Sequence, residues 1–167
     1  MEHVLDHLEP YCNDWIDWLQ IPDGQNDGPR CPFSKKARDE GRVKYVKVFN
    51  YSNAYDYWEV VSRECDNFDG NYDIIIVGAE LNVNNINIDQ MYGGVDALNT
   101  FLNQQGRDLW LLNKPDEMFT IVMIQKITAL DDSAKILEEK GYYVGRYTDD
   151  MMDKVVLGRR KYREQLS

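Results

Sequence analysis

Apolar residues recur at two spacings along this chain, and the two spacings predict different elements. Spacings of three and four, typical of helices, first appear from Val4 to Leu19. Alternating or continuous apolar runs, typical of strands, are set apart from the helices by turns rich in Gly, Asp and Asn. The predicted helices cover 4–19, 35–40, a segment after Asn53, 89–105, 131–140 and a segment after Thr148. The predicted strands cover 43–49, 72–77, 118–127 and a short edge strand at 142–147.

The order of these elements predicts a single globular α+β domain over 1–167. If the helix at 89–105 is an insertion, the rest forms a ferredoxin-like βαββαβ core, with extra N-terminal, inserted and C-terminal helices. If every connection is a crossover, the chain forms a small doubly wound α/β sheet instead. We favour the ferredoxin-like core because the fourth predicted strand is short and the chain is small.

The charge and cysteine content exclude several classes of protein. A net charge of −10 argues against general binding to nucleic acid or to anionic membranes. The three cysteines have no metal-type pairing, so we expect reduced thiols and no disulfide framework.

The chain has no membrane-length apolar run and no signal-peptide pattern at its start, which predicts a location in the cytoplasm of a cell or infected host. The richness in Asn, Asp and Tyr is a compositional hint of a viral origin.

The charge is strongly segregated along the chain. Residues 1–29 contain seven acids and no Lys or Arg, and residues 49–100 contain nine acids and one Arg. Residues 30–48 contain seven Lys or Arg and two acids. The chain therefore has one basic segment between two acidic ones.

The basic segment contains a cysteine at a predicted helix start. Pro32 suits the first helical position, which makes Cys31 the N-cap residue. A helix N-terminus and nearby cations are the surroundings that favour a thiolate, the reactive form of cysteine. Ser34, three residues on, is positioned to donate a hydrogen bond to that sulfur. We therefore predict Cys31 and Ser34 as candidate catalytic residues.

The cations around this cysteine predict an anionic ligand. Arg30, Lys35 and Arg38 lie within a few positions of Cys31, and we predict them as ligand-binding residues. The alternative is structural: Cys packs as a small hydrophobe, with Phe33 and Ala37 holding the short helix to the core. Both interpretations of Cys31 remain open on the sequence alone.

Two families resemble parts of this chain. The order of Trp15-Ile16, Cys31-Pro32-Phe33 and Gly41-Arg42-Val43 resembles an uncharacterised bacterial family with a Cys-Pro-Phe motif. This resemblance implies alternating strands and helices and an important motif, with no established activity. More locally, Cys31-Pro32-Phe33-Ser34 and the later Gly93-Gly94-Val95-Asp96 resemble the active-site and glutathione-binding segments of glutaredoxins. That resemblance implies thiol chemistry at Cys31.

Two patterns suggest metals but favour simpler interpretations. His3 and His7 have the spacing of a helical metal pair, yet no third ligand accompanies them. The segment 23–28 begins like a calcium loop, but Gln25 and Ser34 occupy ligand positions that calcium sites fill with better donors. We therefore predict no metal and no cofactor.

Two functions follow, and they belong to different classes. The leading hypothesis is a thiol-dependent enzyme, or a binder of a small anionic ligand, centred on Cys31. The alternative is a non-enzymatic interaction protein whose acidic segments engage a basic protein partner. The sequence leaves the oligomeric state open between a monomer and a small homo-oligomer.

Overall fold

The computed structural model describes residues 3–21, 31–49, 53–80 and 88–166. A 3-10 turn at Val4–His7 leads into the first helix. The helices are α1 (Leu8–Leu19), α2 (Pro32–Asp39), α3 (Ala54–Asp66), α4 (Ile88–Gln104), α5 (Ile127–Glu139), α6 (Asp149–Met151) and α7 (Gly158–Glu164). The strands are β1 (Val43–Val48), β2 (Ile74–Glu80), β3 (Trp110–Pro115) and β4 (Phe119–Gln125).

The four strands form one open, mixed sheet in the order β1-β2-β4-β3. The pair β1 and β2 is parallel, with Val43 opposite Ile74. The strands β2 and β3 each run antiparallel to β4, which lies between them. The helix α3 makes the crossover between the parallel strands, and a tight hairpin joins β3 to β4.

The α+β class predicted from the sequence is confirmed. Helices pack on a four-stranded mixed sheet that does not close, an arrangement consistent with a ferredoxin-like α+β fold. The alternative, a doubly wound parallel sheet, does not describe it, because two of the three strand pairs are antiparallel.

Two element predictions are wrong, and each has a physical reason. The predicted edge strand at 142–147 consists of turns, with Gly141 and Gly145 at φ values of 71° and 78° that end extended structure. The amide of Tyr147 instead donates to the carbonyl of Tyr143 at 3.0 Å. The fourth strand of the sheet is β3, a segment in which no strand was predicted.

Two predictions about helical residues are also corrected. Asp131 does not start α5, which begins at Ile127; the carboxylate of Asp108 caps that start by accepting the Thr128 amide at 3.0 Å. The helical spacing of Val95, Leu98, Phe101 and Leu102 predicts that all four face the core. Phe101 does not, since 54% of it is exposed on the outer side of α4. The other predicted inward positions of α4 do pack against the core.

One side of the sheet, which we call the packed face, is covered by α3 and α4. Its core is a closely packed apolar cluster, and the fully buried Tyr57 donates a hydrogen bond to the carbonyl of Val77 at 2.9 Å. Gly94 lets α4 approach α3 closely, because a Cβ there would overlap the indole of Trp58. The buried members of the cluster are Val48, Tyr57, Val61, Cys65, Ile75, Val77, Ala79, Met91, Val95, Leu102, Leu109, Leu111, Val122 and Ile124.

The opposite side, which we call the cavity face, is covered by α1, α2 and the start of α5. Side chains alternate along strands, so neighbours of the packed-face residues point here. Leu8 of α1 lies against Gly78, where a Cβ would overlap its side chain. The buried members of this cluster are Leu5, Leu8, Cys12, Ala37, Ile74, Ile76, Phe119, Ile121 and Met123.

The C-terminal segment packs beside the cavity face on α5. The helices α6 and α7 are joined without a break by a π-helix at Met152–Leu157. Asp131 of α5, 1% exposed, anchors this segment: its carboxylate accepts hydrogen bonds from Arg160 at 3.1 Å and from Arg163 at 2.8 Å. Across the described residues, every helix falls short of the length and apolarity that a membrane crossing requires.

Candidate functional site

Cys31 is the N-cap residue of α2, as the sequence predicts. Its backbone is fixed by two donors to its carbonyl, the Ser34 hydroxyl at 3.0 Å and the Gln20 amide at 3.3 Å. The thiol makes no capping hydrogen bond, and the residue is half-buried. The Ser34 hydroxyl is therefore engaged with the carbonyl of Cys31 and not with its sulfur.

Cys31 and Ser34 line a cavity of about 370 Å³ on the cavity face. The walls come from α1, from three strands of the sheet and from α5. They are largely apolar: Trp15, Ile16, Leu19, Ile74, Ile76, Leu112, Met123 and Leu130. The polar groups are few: Cys31, Ser34, Asn113, Lys114, Gln125 and Tyr147. An apolar cavity of this size with a few polar groups is the usual form of a small-molecule site.

Lys114 brings a positive charge to this cavity. Its ammonium donates to the Tyr11 hydroxyl at 2.6 Å, lies 3.8 Å from the Asp116 carboxylate, and lies 5.1 Å from the centroid of the Trp15 ring. The side chain is 15% exposed. An ammonium has three donors, so the contact with Tyr11 leaves hydrogen-bonding capacity for a ligand.

The partners of Lys114 form a short hydrogen-bonded chain. The Tyr11 hydroxyl, which accepts from Lys114, donates to Asp116. Burial raises the pKa of Asp116, but hydrogen bonds from Tyr11 and from two backbone amides, together with Lys114, outweigh burial and hold that pKa below its usual range. Burial and the neighbouring Asp116 raise the pKa of Tyr11. At neutral pH the cluster therefore pairs the Asp116 carboxylate with a neutral phenol at Tyr11.

Another cation, the buried Arg159, interacts electrostatically with Cys31. It begins the last turns of the C-terminal helix, is 7% exposed, and its Nε has no hydrogen-bond partner in the described part of the chain. Burial lowers the pKa of Arg159, and the charges of Tyr143, Asp131, Tyr147 and Cys31 oppose that effect. Cys31 and Tyr147, with which Arg159 interacts electrostatically, both line the cavity.

Of the basic residues predicted to bind a ligand, the two that the structure describes, Lys35 and Arg38, do not line this cavity. Arg30 lies outside the described residues. Lys35 is exposed and forms an ion pair with Asp39, four residues along α2. Arg38 pairs with Asp39 and with Asp17 of α1. The positive charges of the cavity come instead from distant parts of the chain.

The other two thiols are structural in their surroundings. Cys12 packs in the core of the cavity face, and burial raises its pKa to about 12. Cys65 packs in the core of the packed face, where burial also raises its pKa to about 12. Both therefore stay protonated and shielded at neutral pH, which makes them internal controls for the reactivity of Cys31.

Lys114 and Arg159, the two cations associated with the cavity, were not predicted as site residues from the sequence. Lys114 lies on β3, two positions after Leu112, so both side chains lie on the cavity face. That period of two was the available signal, but it is short and is followed by Pro115. Arg159 had no local signal, because burial of a C-terminal arginine depends on the packing of the whole C-terminal segment.

Comparison with known proteins adds no relative. No protein-family model matches this chain, and no curated protein and no solved structure matches it. The two family resemblances stay predictions. Within the described residues, no group of three His, Cys, Asp or Glu side chains is placed to hold a metal ion.

Proposed function

We propose that this protein binds a small ligand with an apolar body and an anionic group, and that Cys31 contacts the bound ligand. One observation carries the proposal: Cys31 lines a cavity of about 370 Å³ whose walls are largely apolar and whose few polar lining residues include Lys114. Burial of apolar ligand surface would supply most of the affinity, and the few polar groups would fix the orientation.

Lys114 is the group expected to receive the negative charge of the ligand. Charges attract more strongly in a partly buried site than in water, because the effective dielectric constant is lower. The carboxylate of Asp116 lies 3.8 Å away and already compensates part of the charge of Lys114. A singly charged ligand group, such as a carboxylate, therefore suits this site better than a multiply charged one.

The sheet sets the length of the ligand. Gln125 lies opposite Trp110, and Lys114 lies four positions further along β3. Four residues of strand span about 13 Å, so the two polar ends of the cavity are about that far apart. An extended chain of this length, with its carboxylate at Lys114, would reach the wall that contains Gln125.

The proposal is tested by calorimetric titration with decanoate, and with decanol as the uncharged control. We expect one decanoate to bind per chain, and decanol to bind about tenfold more weakly. The variant Lys114→Gln should lose that preference for the carboxylate. Equal binding of the two compounds to the unmodified protein would contradict the role of Lys114.

A cavity-filling variant locates the binding site. Leu112→Trp should occupy the cavity and abolish decanoate binding, while Phe101→Trp at an exposed position of α4 should leave it unchanged. Circular dichroism checks that both variants are folded. If decanoate binds Leu112→Trp as tightly as it binds the unmodified protein, its binding site lies outside this cavity and the proposal is wrong.

A thiol-dependent reaction at Cys31 is the second candidate, and Arg159 is the observation that favours it. Reactive cysteines lie beside cations in partly exposed places. Cys31 is half-buried and interacts electrostatically with the buried guanidinium of Arg159. The rate of alkylation of Cys31 by iodoacetamide at pH 7 should fall in Arg159→Met. An unchanged rate in a folded variant would remove the support for this candidate.

A further inference from the structure

The two edges of the sheet differ in how they are protected. At the β3 edge, the side-chain amide of Asn99 bonds both backbone groups of Leu111, at 3.0 and 2.7 Å. Further along the same edge, Pro115 has no N–H to donate. At the β1 edge, no strand or side chain in the described ranges bonds the outward backbone groups. The edge of β1 is therefore the open one.

The hydrogen-bond register identifies which backbone groups of β1 point outward. The carbonyl of Arg42 accepts the amide of Ile74 at 3.3 Å, so Arg42 faces β2. In a parallel ladder, alternate residues direct their N–H and C=O to the same neighbour. The backbone N–H and C=O groups of Val43, Tyr45 and Lys47 therefore point away from the sheet.

A groove of about 480 Å³ runs beside this edge. One wall is α1, where Glu9, Asn13 and Asp17 are spaced by four residues and share one side of the helix. The other wall contains Val43 and Tyr45 of β1. The outward backbone groups and the groove are therefore next to each other.

The charge of the groove favours a basic occupant. Arg38 is engaged with Asp17, and it also donates to the Asn13 carbonyl at 3.2 Å. Glu9 is exposed and has no cation within ion-pair distance among the described residues. A Lys or Arg on an added strand would meet the carboxylate of Glu9.

The lysines of β1 do not oppose such an occupant. The ammonium of Lys44 lies 2.9 Å from Glu64, and that of Lys47 lies 3.9 Å from Asp6. Both charges are therefore already compensated. The same ion pairs argue against a second copy of this chain as the occupant. The β1 lysines of that copy would already be paired with its own Glu64 and Asp6 and so would not be available to Glu9.

We propose that the β1 edge and the adjoining groove bind an extended basic segment of a protein partner as an additional strand. Main-chain hydrogen bonds to Val43, Tyr45 and Lys47 supply affinity that does not depend on sequence. Every second side chain of the segment enters the groove, where Glu9 selects a basic residue. This site is separate from the cavity of Cys31 and does not depend on the function proposed for it.

The test uses a short, labelled peptide of alternating Lys and Thr, with a peptide of alternating Glu and Thr as the matched control. Fluorescence anisotropy should show binding of the Lys peptide, weakened by added salt, and no binding of the Glu peptide. Equal binding of both peptides would overturn the proposal.

Two variants separate the backbone contribution from the charge contribution. Tyr45→Pro removes one outward N–H group, a loss that an edge strand tolerates without breaking the sheet. This variant should abolish peptide binding, whereas the control Tyr45→Phe should retain it. Glu9→Gln, a surface change that leaves the fold intact, should weaken binding up to about fivefold. Full binding by Glu9→Gln would contradict the charge selection.

Two further measurements identify the occupant and the site. Analytical sedimentation measures the oligomeric state of the unmodified protein and of Tyr45→Pro. If the unmodified protein is a dimer and Tyr45→Pro is a monomer, a second copy of the chain occupies the β1 edge and the proposal is refuted. Alkylation of Cys31 should leave peptide binding unchanged. If alkylation of Cys31 displaces the peptide, the peptide binds in the cavity and not at the β1 edge, and the proposal is also refuted.

Discussion

The two faces of the sheet are built from the same strands but are filled differently. On β4, Val122 and Ile124 point into the packed face, while Met123 and Gln125 point into the cavity face. The packed face is closed by Tyr57 and its apolar neighbours, with one buried hydrogen bond to β2. The cavity face keeps about 370 Å³ of open volume and includes a nearly buried glutamine.

This difference supports the proposal that the cavity face carries the function. Protein interiors are normally packed as closely as organic crystals, and an unfilled volume costs stability. Buried polar groups without full hydrogen bonding add to that cost. A face that keeps a cavity, an ammonium and a thiol together has given up stability that the opposite face retains, which is typical of ligand sites.

The largest expected effect comes from adjacent core deletions on β4. Ile124→Ala on the packed face should lower the free energy of unfolding by about 4 kcal/mol, because the close packing cannot collapse around the lost atoms. Met123→Ala on the cavity face should cost about 2 kcal/mol, since its side chain already borders open volume. Urea unfolding measures both values. Equal losses at the two positions would show that the faces are packed alike.

The next effect concerns the ionic anchor beside the cavity face. Asp131→Asn removes a buried carboxylate that pairs with Arg160 and Arg163, and it should cost about 2–3 kcal/mol at pH 7. The two guanidinium groups are partly exposed, which limits the loss. The apolar core of the packed face provides no comparable ionic contribution.

The same anchor should make stability depend on pH. Burial raises the pKa of Asp131, but hydrogen bonds from Arg163, Arg160 and Lys135 outweigh burial, so the pKa lies below its usual range. The contribution of the anchor is complete above the unfolded-state pKa of about 3.9 and is lost as the pH falls through the lower folded-state value. The stability difference between the parent protein and Asp131→Asn should therefore shrink below about pH 4. A difference that stays constant down to pH 2 would exclude this account.

A smaller effect separates two neighbouring glycines of α4. Gly94→Ala should destabilise the protein by about 1–3 kcal/mol, because the new methyl group overlaps the indole of Trp58 on the packed face. Gly93→Ala is the matched control: nothing lies within 4 Å of a Cβ there, and alanine stabilises an exposed helical position by up to about 1 kcal/mol. Thermal unfolding should shift in opposite directions for the two variants. Shifts of the same sign would contradict the close approach of α3 and α4.

The regular apolar patterns predicted most of the fold. The Ile-rich run of β2 and the alternation of β1 gave correct strands, because their side chains fill the core directly. The strand β3 was missed because Asn113, Lys114 and Pro115 are poor strand formers. It becomes a strand through its hairpin with β4 and through Asn99, which are contacts that a local pattern does not contain.

The candidate site was predicted only in part, for a related reason. Local sequence identified Cys31 as an N-cap, since Pro32 follows it directly. The charge of the site was placed on the neighbours Lys35 and Arg38, which are paired with acids outside the cavity. The cations associated with the cavity belong to β3 and α7: Lys114 is among its lining residues, and Arg159 interacts electrostatically with Cys31. Only the assembled fold brings these residues together.

The most direct test of the central claim is the rate at which iodoacetamide modifies Cys31 with and without decanoate, followed by mass spectrometry. We predict that Cys31 reacts while the buried Cys12 and Cys65 do not. We also predict that decanoate slows the reaction about tenfold at ten times its dissociation constant, as mass action requires. An undiminished rate at a decanoate concentration that saturates the protein would show that the ligand does not cover Cys31, and the claim that this cavity is the binding site would be wrong.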